Sequence, residues 1–165
     1  MVGTVSKELV WNYLKEIPDP EIPIINIIEL GVVRDVRIHD DELTISITPT
    51  YMGCPAMKVI EQDILSVLKN KGIINVTIKT ILSPSWTTDW ISHEAKIKLK
   101  QYGIAPPEKA SVDKGYLFSK GLKTIACPHC NSTNTQMQSQ FGSTACKALY
   151  TCKNCMEPFD YFKCI

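Results

Sequence analysis

Four cysteines near the C-terminus fall into two pairs of the same spacing, Cys127-Pro128-His129-Cys130 and Cys152-Lys153-Asn154-Cys155. Two intervening residues let both thiolates of one tight turn face a common ion, with backbone amides directed at the sulfurs. Two such turns supply four sulfurs in a tetrahedron. The expected ion is zinc. Iron in the same cage, as in a rubredoxin-like electron-transfer module, is the alternative, because tetrahedral sulfur coordination suits both metals. Two redox dithiols, or unlinked surface cysteines, are the remaining reading. About forty residues with few large apolar side chains cannot bury enough surface to offset chain entropy. A structural zinc contributes on the order of 10–16 kcal/mol in modules of this kind. Asn131, just after the first turn, suits the left-handed backbone expected there, and Met156 after the second is a poorer choice. His129 is expected to be a spacer facing solvent, since four thiolates complete the shell.

Three further cysteines bring the total to seven. Cys54 precedes Pro55, and proline favours the first position of a helix. Cys54 is therefore placed at or near a helix N-cap, where free amides and the helix dipole suit an anionic sulfur. Such a thiol could bind a metal or accept a transferred cluster, or it could simply pack under its loop. Asp19 and Glu21, in the segment Asp19-Pro20-Glu21-Ile22-Pro23, are candidate partners for it, or turn and capping residues. Cys146 follows the run Phe141-Gly142-Ser143-Thr144-Ala145, a small-residue turn that would leave its sulfur accessible, or it is a buried or idle thiol, and Cys164 reads as a buried or idle thiol. There is no Ser-His-Asp set, phosphate-cradling glycine loop or dinucleotide fingerprint, and the three histidines are scattered at 39, 93 and 129. A non-catalytic protein is expected.

Composition bounds what surrounds these residues. Apolar residues make up 44% and charged residues 21% of 165, an ordinary globular balance that excludes wholesale disorder. The net charge of +1 carries none of the basic excess that nucleic-acid binding requires. The N-terminus lacks an apolar signal core, and no run approaches the roughly 18 apolar residues of a membrane span. A soluble cytoplasmic protein is expected, and its paired cysteines then read as metal or redox chemistry rather than a disulfide framework.

The elements that must position the thiols follow from periodicity. Ser6 can cap a helix with apolar Val10, Tyr13, Leu14 and Ile17 at i, i+3, i+4 and i+7, ended by Pro18 and Pro20. Val32 to Ile38 and Glu42 to Pro49 read as strands of a hairpin around His39-Asp40-Asp41. Pro55 opens a helix to about Lys71 with Met57, Ile60, Ile64 and Leu68 along one stripe, and Gly72 stops it. A strand with Ile74, Val76 and Ile78 on one face follows. A loop then carries Trp86 and Trp90, and a last helix runs from about Asp89 to Tyr102, closed by Gly103. The fold class expected is α+β: a compact α-β-β-α-β-α domain over 1–105, a linker over 106–124, and a four-cysteine zinc-ribbon-like β module over 125–165.

Several segments together carry a resemblance. Asp19-Pro20-Glu21-Ile22, Asn26-Ile27-Ile28-Glu29-Leu30-Gly31-Val32-Val33 and Thr50-Tyr51-Met52-Gly53-Cys54-Pro55 resemble the iron–sulfur assembly domain family related to SufT. With the tryptophan loop, Tyr102-Gly103-Ile104-Ala105-Pro106-Pro107, the Phe141 to Ala148 run and Glu157 to Cys164, nearly the whole chain is similar to the PaaD (PaaJ) family, a family of subunits of bacterial phenylacetyl-CoA epoxidases. The resemblance implies an accessory role in aerobic phenylacetate breakdown. It assigns oxygen chemistry to a separate di-iron subunit and electron supply to a separate flavin and iron–sulfur reductase. The partners it implies are those proteins, with a homodimer as a further arrangement, and no nucleic acid or membrane. It matches Cys54 to the family's reactive cysteine and Asp19 to Glu21 to its acidic loop, and it makes Cys146 and Cys164 retained positions. A maturation factor that holds iron or an iron–sulfur cluster transiently is the leading expectation. An electron-transfer module, or an adaptor contacting its partners through the Trp86 and Trp90 loop, is the alternative.

Overall fold

The computed structural model describes residues 5–40, 42–107 and 125–163. It divides into two compact units, Met1–Trp86 and Thr87–Ile165. The α+β expectation holds.

In the first unit, α1 (Lys7–Leu14) begins where the Ser6 hydroxyl accepts the Leu9 amide at 3.2 Å, and it buries Val10 and Leu14. The hairpin forms as expected: β1 (Val33–His39) pairs antiparallel with β2 (Glu42–Ile47). Helix α2 (Ala56–Asn70) buries Ala56, Ile60, Ile64 and Leu68. It returns the chain to β3 (Val76–Thr80), which pairs parallel with β2 in the order β1-β2-β3. The helix between two parallel strands is the crossover such a pairing requires. One expected core position fails: Ile74 is 82% exposed, because pairing with β2 begins only at Val76. Alternating Leu43, Ile45 and Ile47 are buried, the pattern of a central strand covered on that face.

The loops of this unit are closed by short-range polar caps. The buried Asp19 carboxylate accepts from the amides of Glu21 at 2.9 Å and Ile22 at 2.8 Å, while its own amide donates to the Ile25 carbonyl. The Asn26 side chain accepts from Ile28 and Glu29, and the Glu29 carboxylate accepts the Asn26 amide. That is a reciprocal capping box in a loop. Trp86 is buried, its indole N–H donating to the Leu30 carbonyl at 3.0 Å, so this ring serves the interior.

In the second unit, a turn of 3-10 helix (Thr88–Trp90) precedes α3 (His93–Gln101). The helix starts four residues later than Asp89 because the Ser92 hydroxyl caps it, accepting the Ala95 amide at 3.0 Å. Then β4 (Ile104–Ala105), β5 (Thr135–Ser139), β6 (Lys147–Cys152) and β7 (Pro158–Phe162) form a sheet of order β4-β7-β6-β5. The sequence places the domain boundary at 105, whereas the compact units divide after Trp86. The physical reason is β4, which pairs parallel with β7 and buries Ala105 in the ribbon core. Most of the expected linker, residues 108–124, and Cys164 lie outside the described residues.

Asp19 caps two amides in a buried turn, so Asp19→Ala is expected to lower stability by about 1–2 kcal/mol. Asp19→Asn keeps the accepting oxygen and is expected to cost less. Urea unfolding of the two variants checks the order, and equal stability of wild type and Asp19→Ala would contradict it.

Candidate metal centre

The ribbon brings the two cysteine turns together by register. β5 and β6 pair antiparallel with Thr135 opposite Cys152, so the segment entering β5 lies beside the second turn. Asn134 and Asn154 tie the turns directly: the Asn134 amide side chain donates to Asn154 Oδ1 at 3.0 Å, and the Lys153 N–H donates to the Asn134 carbonyl at 2.8 Å. No spacing rule pairs Asn134 with Asn154. Their meeting follows from the β5–β6 register.

Each turn is shaped to aim its sulfurs. In the first, the Asn131 amide donates to the Cys127 carbonyl and the Cys127 amide to the Ser132 carbonyl, both at 2.9 Å. In the second, the Cys152 sulfur accepts the amides of Asn154 at 3.4 Å and Cys155 at 3.5 Å. The residue after each turn is left-handed, Asn131 at φ 60° and Met156 at φ 64°. Asparagine tolerates that conformation as expected, and methionine adopts it despite being the poorer choice. His129 is exposed, as expected of a spacer.

The four sulfurs converge. Cys127 and Cys155 lie 3.7 Å apart, Cys130 and Cys152 3.5 Å apart, and all four sulfurs lie within 4.8 Å of one another. A regular tetrahedron with metal–sulfur bonds of about 2.3 Å has edges of about 3.8 Å, so the donor set fits a metal ion of this size. Among the described residues this is the group of His, Cys, Asp and Glu side chains that converges in this way. Cys127 and Cys152 are buried beside Ile125, Ala148, Tyr150, Phe159 and Tyr161. The Tyr150 ring stacks on Phe159 and meets Tyr161 edge-on.

The electrostatics of the metal-free set are divided. The Cys155 and Asn154 amides pull the Cys152 thiol down to about 6. At Cys155 the Glu157 amide also lowers the pKa, but desolvation and the neighbouring sulfurs outweigh it and push the thiol up to about 12. Cys130 is raised as well, the Ser132 amide being outweighed by desolvation and by the sulfurs of Cys152 and Cys127. Crowding keeps protons on the set, and a cation is what can replace them.

The other candidates are not members of this converged cysteine set. Cys54 is a free thiol, 8% exposed, one residue before Pro55 at the start of α2. Its amide donates to the Tyr51 carbonyl and its carbonyl accepts the Met57 amide, both at 3.3 Å. Asp19 and Glu21 do not join it in a converged ligand set. Of the two readings of Cys146, the buried one holds, and its sulfur lies 3.0 Å from the Thr144 hydroxyl.

Comparison with known proteins gives this geometry a class. Residues 7–78 match the family described as "Iron-sulfur cluster assembly protein", and residues 117–163 match the "PaaD zinc beta ribbon domain". The chain resembles in part the crystal structure of a domain of unknown function, DUF59, from Bacillus anthracis. That match has 30% identity and a TM-score of 0.53, covering 56% of this chain and 90% of that one. The Fe-S protein maturation auxiliary factor YitW of Bacillus subtilis is 36% identical over 56% of this chain and 92% of its own length. The class is thus an iron–sulfur assembly domain joined to a four-cysteine zinc ribbon. A protein of Escherichia coli K12 assigned to 1,2-phenylacetyl-CoA epoxidase as one of its subunits is 45% identical over 94% of this chain and 92% of its own length. The chain belongs to this family of epoxidase subunits, the PaaD family.

Two outcomes follow from the geometry. Met156 is 68% exposed in a left-handed conformation, so Met156→Gly relieves strain at little cost in packing. It is expected to stabilise the metal-loaded ribbon by about 1 kcal/mol, read as slower metal loss to a chelator. Metal uptake near neutral pH is expected to release the protons of Cys130 and Cys155 at least, since both thiols are held up in the metal-free set. Affinity then falls as the pH is lowered, because protons compete for the same sulfurs. Calorimetry in buffers of different ionisation enthalpy measures the release, and a value clearly below two protons per ion would contradict the assignment.

Proposed function

We propose that this protein is a non-catalytic maturation factor of the multicomponent epoxidase acting on phenylacetyl-CoA, assisting assembly of an iron–sulfur or iron centre in one of its partner proteins. The observation that carries the reading is that one chain joins the assembly domain to the PaaD-type ribbon, with the epoxidase-subunit relative matching 94% of its length. In this reading Cys127, Cys130, Cys152 and Cys155 hold a structural zinc, which keeps the ribbon folded as a docking module for the client. Cys54 supplies the thiol that meets iron or a cluster in transit, and the Asp19 to Glu21 turn keeps its own loop closed. The client is the reductase or the di-iron oxygenase component. In the first unit the Asp19 Oδ1 accepts the Glu21 and Ile22 amides, which is the geometry of a turn cap.

Expression of the client beside Cys54→Ser is the test. The variant is expected to fold as wild type, since it exchanges one small buried side chain for another. The client purified from those cells is expected to carry less than about half its normal metal. A fully loaded client beside a folded Cys54→Ser protein would overturn the role given to Cys54. A client equally loaded in the complete absence of this chain would overturn the maturation reading itself.

A further inference from the structure

Gly103 ends α3 and begins β4, and two features make it a contact point. Its φ is +91°, and its amide donates to the Lys100 carbonyl while the Tyr102 amide closes on Lys98 and Leu99. That is a glycine-terminated helix end. The second feature lies outside the helix. A Cβ at position 103 would sit 3.0 Å from His129 Cε1 and 3.5 Å from His129 Nε2. The imidazole therefore fills the space that any other residue at 103 would claim. His129 belongs to the first cysteine turn, between Cys127 and Cys130. Two residues past Gly103, Ala105 is buried in the core formed around Cys127, Cys152, Tyr150 and Tyr161. β4, only two residues long, pairs with β7 through Ile104 opposite Asp160 and Ala105 opposite Tyr161. A strand so short has little hold of its own on the sheet.

We propose that His129 is the seat of the α3–β4 corner, so that metal loading of the first cysteine turn is transmitted through the imidazole to Gly103 and the last turn of α3. His129 in this role is a positioning residue and not a ligand, and the inference rests on reading the four cysteines as a metal site. With the ion bound, the turn from Cys127 to Asn131 is rigid and the ring lies against the glycine face. When the ion is lost, the turn relaxes, the ring leaves Gly103, and the end of α3 with β4 loosens from the ribbon. The state of the metal centre thus reaches a surface of α3 that carries exposed Ile97 and Tyr102. The chain would thereby present that surface differently with and without metal.

The experiment uses the full chain loaded with zinc. Amide hydrogen exchange at residues 102–105 is expected to be about tenfold faster in His129→Ala than in wild type, with β6 and β7 unchanged, the size of a single broken coupling. Gly103→Ala then separates contact from backbone strain. In the wild-type background it is expected to speed zinc release to a chelator about tenfold, and in the His129→Ala background less than about threefold. Unchanged exchange at 102–105 in zinc-loaded His129→Ala overturns the inference, and so does equal acceleration by Gly103→Ala in both backgrounds. A chain that takes up no zinc overturns the metal reading and this inference with it. Zinc uptake with an unmoved corner overturns the inference alone.

Discussion

Four sulfurs within 4.8 Å of one another cannot all be ionised without a cation among them, and a fully protonated set leaves its polar turns with little to hold them. That constraint organises the C-terminal unit. The apolar core around Cys127 and Cys152 is small, resting on three aromatic rings and a few aliphatic side chains. Burial on that scale does not offset the ordering of a ribbon. A left-handed methionine at 156, the asparagine pair 134 and 154, and a two-residue parallel strand are features a metal centre can sustain and a marginal core cannot. The split in thiol acidity, Cys152 near 6 and Cys155 near 12, is the mark of the same crowding.

The N-terminal unit is held by different means. Fully buried Ile45, Ile47, Ile60, Ile64 and Leu68 give it an ordinary hydrophobic core, and its irregular segments are closed by carboxylates and amides acting over two or three residues. Asp19 and the Asn26–Glu29 box are spent in this way. An acidic residue whose Oδ1 accepts two backbone amides within a buried turn has a structural role as the cap that closes its loop.

What was legible in the sequence, and what was not, follows the range of the interactions. The Ser6 cap, the hairpin and the α2 stripe are local patterns of period or spacing and appear as read, except that Ala56 rather than Met57 is buried at the start of the stripe. The two cysteine turns were legible for the same reason, since coordination imposes a fixed short spacing. The later start of α3 at Ser92 and the exposure of Ile74 depend on where capping and pairing begin, which periodicity leaves free by several residues. The inward turn of Cys146 towards Thr144 depends on the conformation of one small-residue loop. Least visible were the contacts between distant segments: Trp86 with Leu30, Asn134 with Asn154, and His129 with Gly103. Each is set by tertiary register, and no residue in those pairs announces its partner.

The separation of the two kinds of thiol bears on how a maturation factor can work. A sulfur that is part of a four-fold site cannot also carry cargo without dismantling the fold that depends on it. Cys127, Cys130, Cys152 and Cys155 are committed to one another by geometry, and Cys146 is turned to its own hydroxyl partner. Among the described cysteines this leaves Cys54, in a unit with a hydrophobic core of its own. It follows Gly53, whose φ of +78° is a left-handed conformation that a side chain would strain. At 8% exposure the Cys54 thiol is largely shielded from solvent, and so from adventitious oxidation. In the proposed reading, stability comes from a metal centre and reactivity from a thiol in another unit, so neither requirement compromises the other.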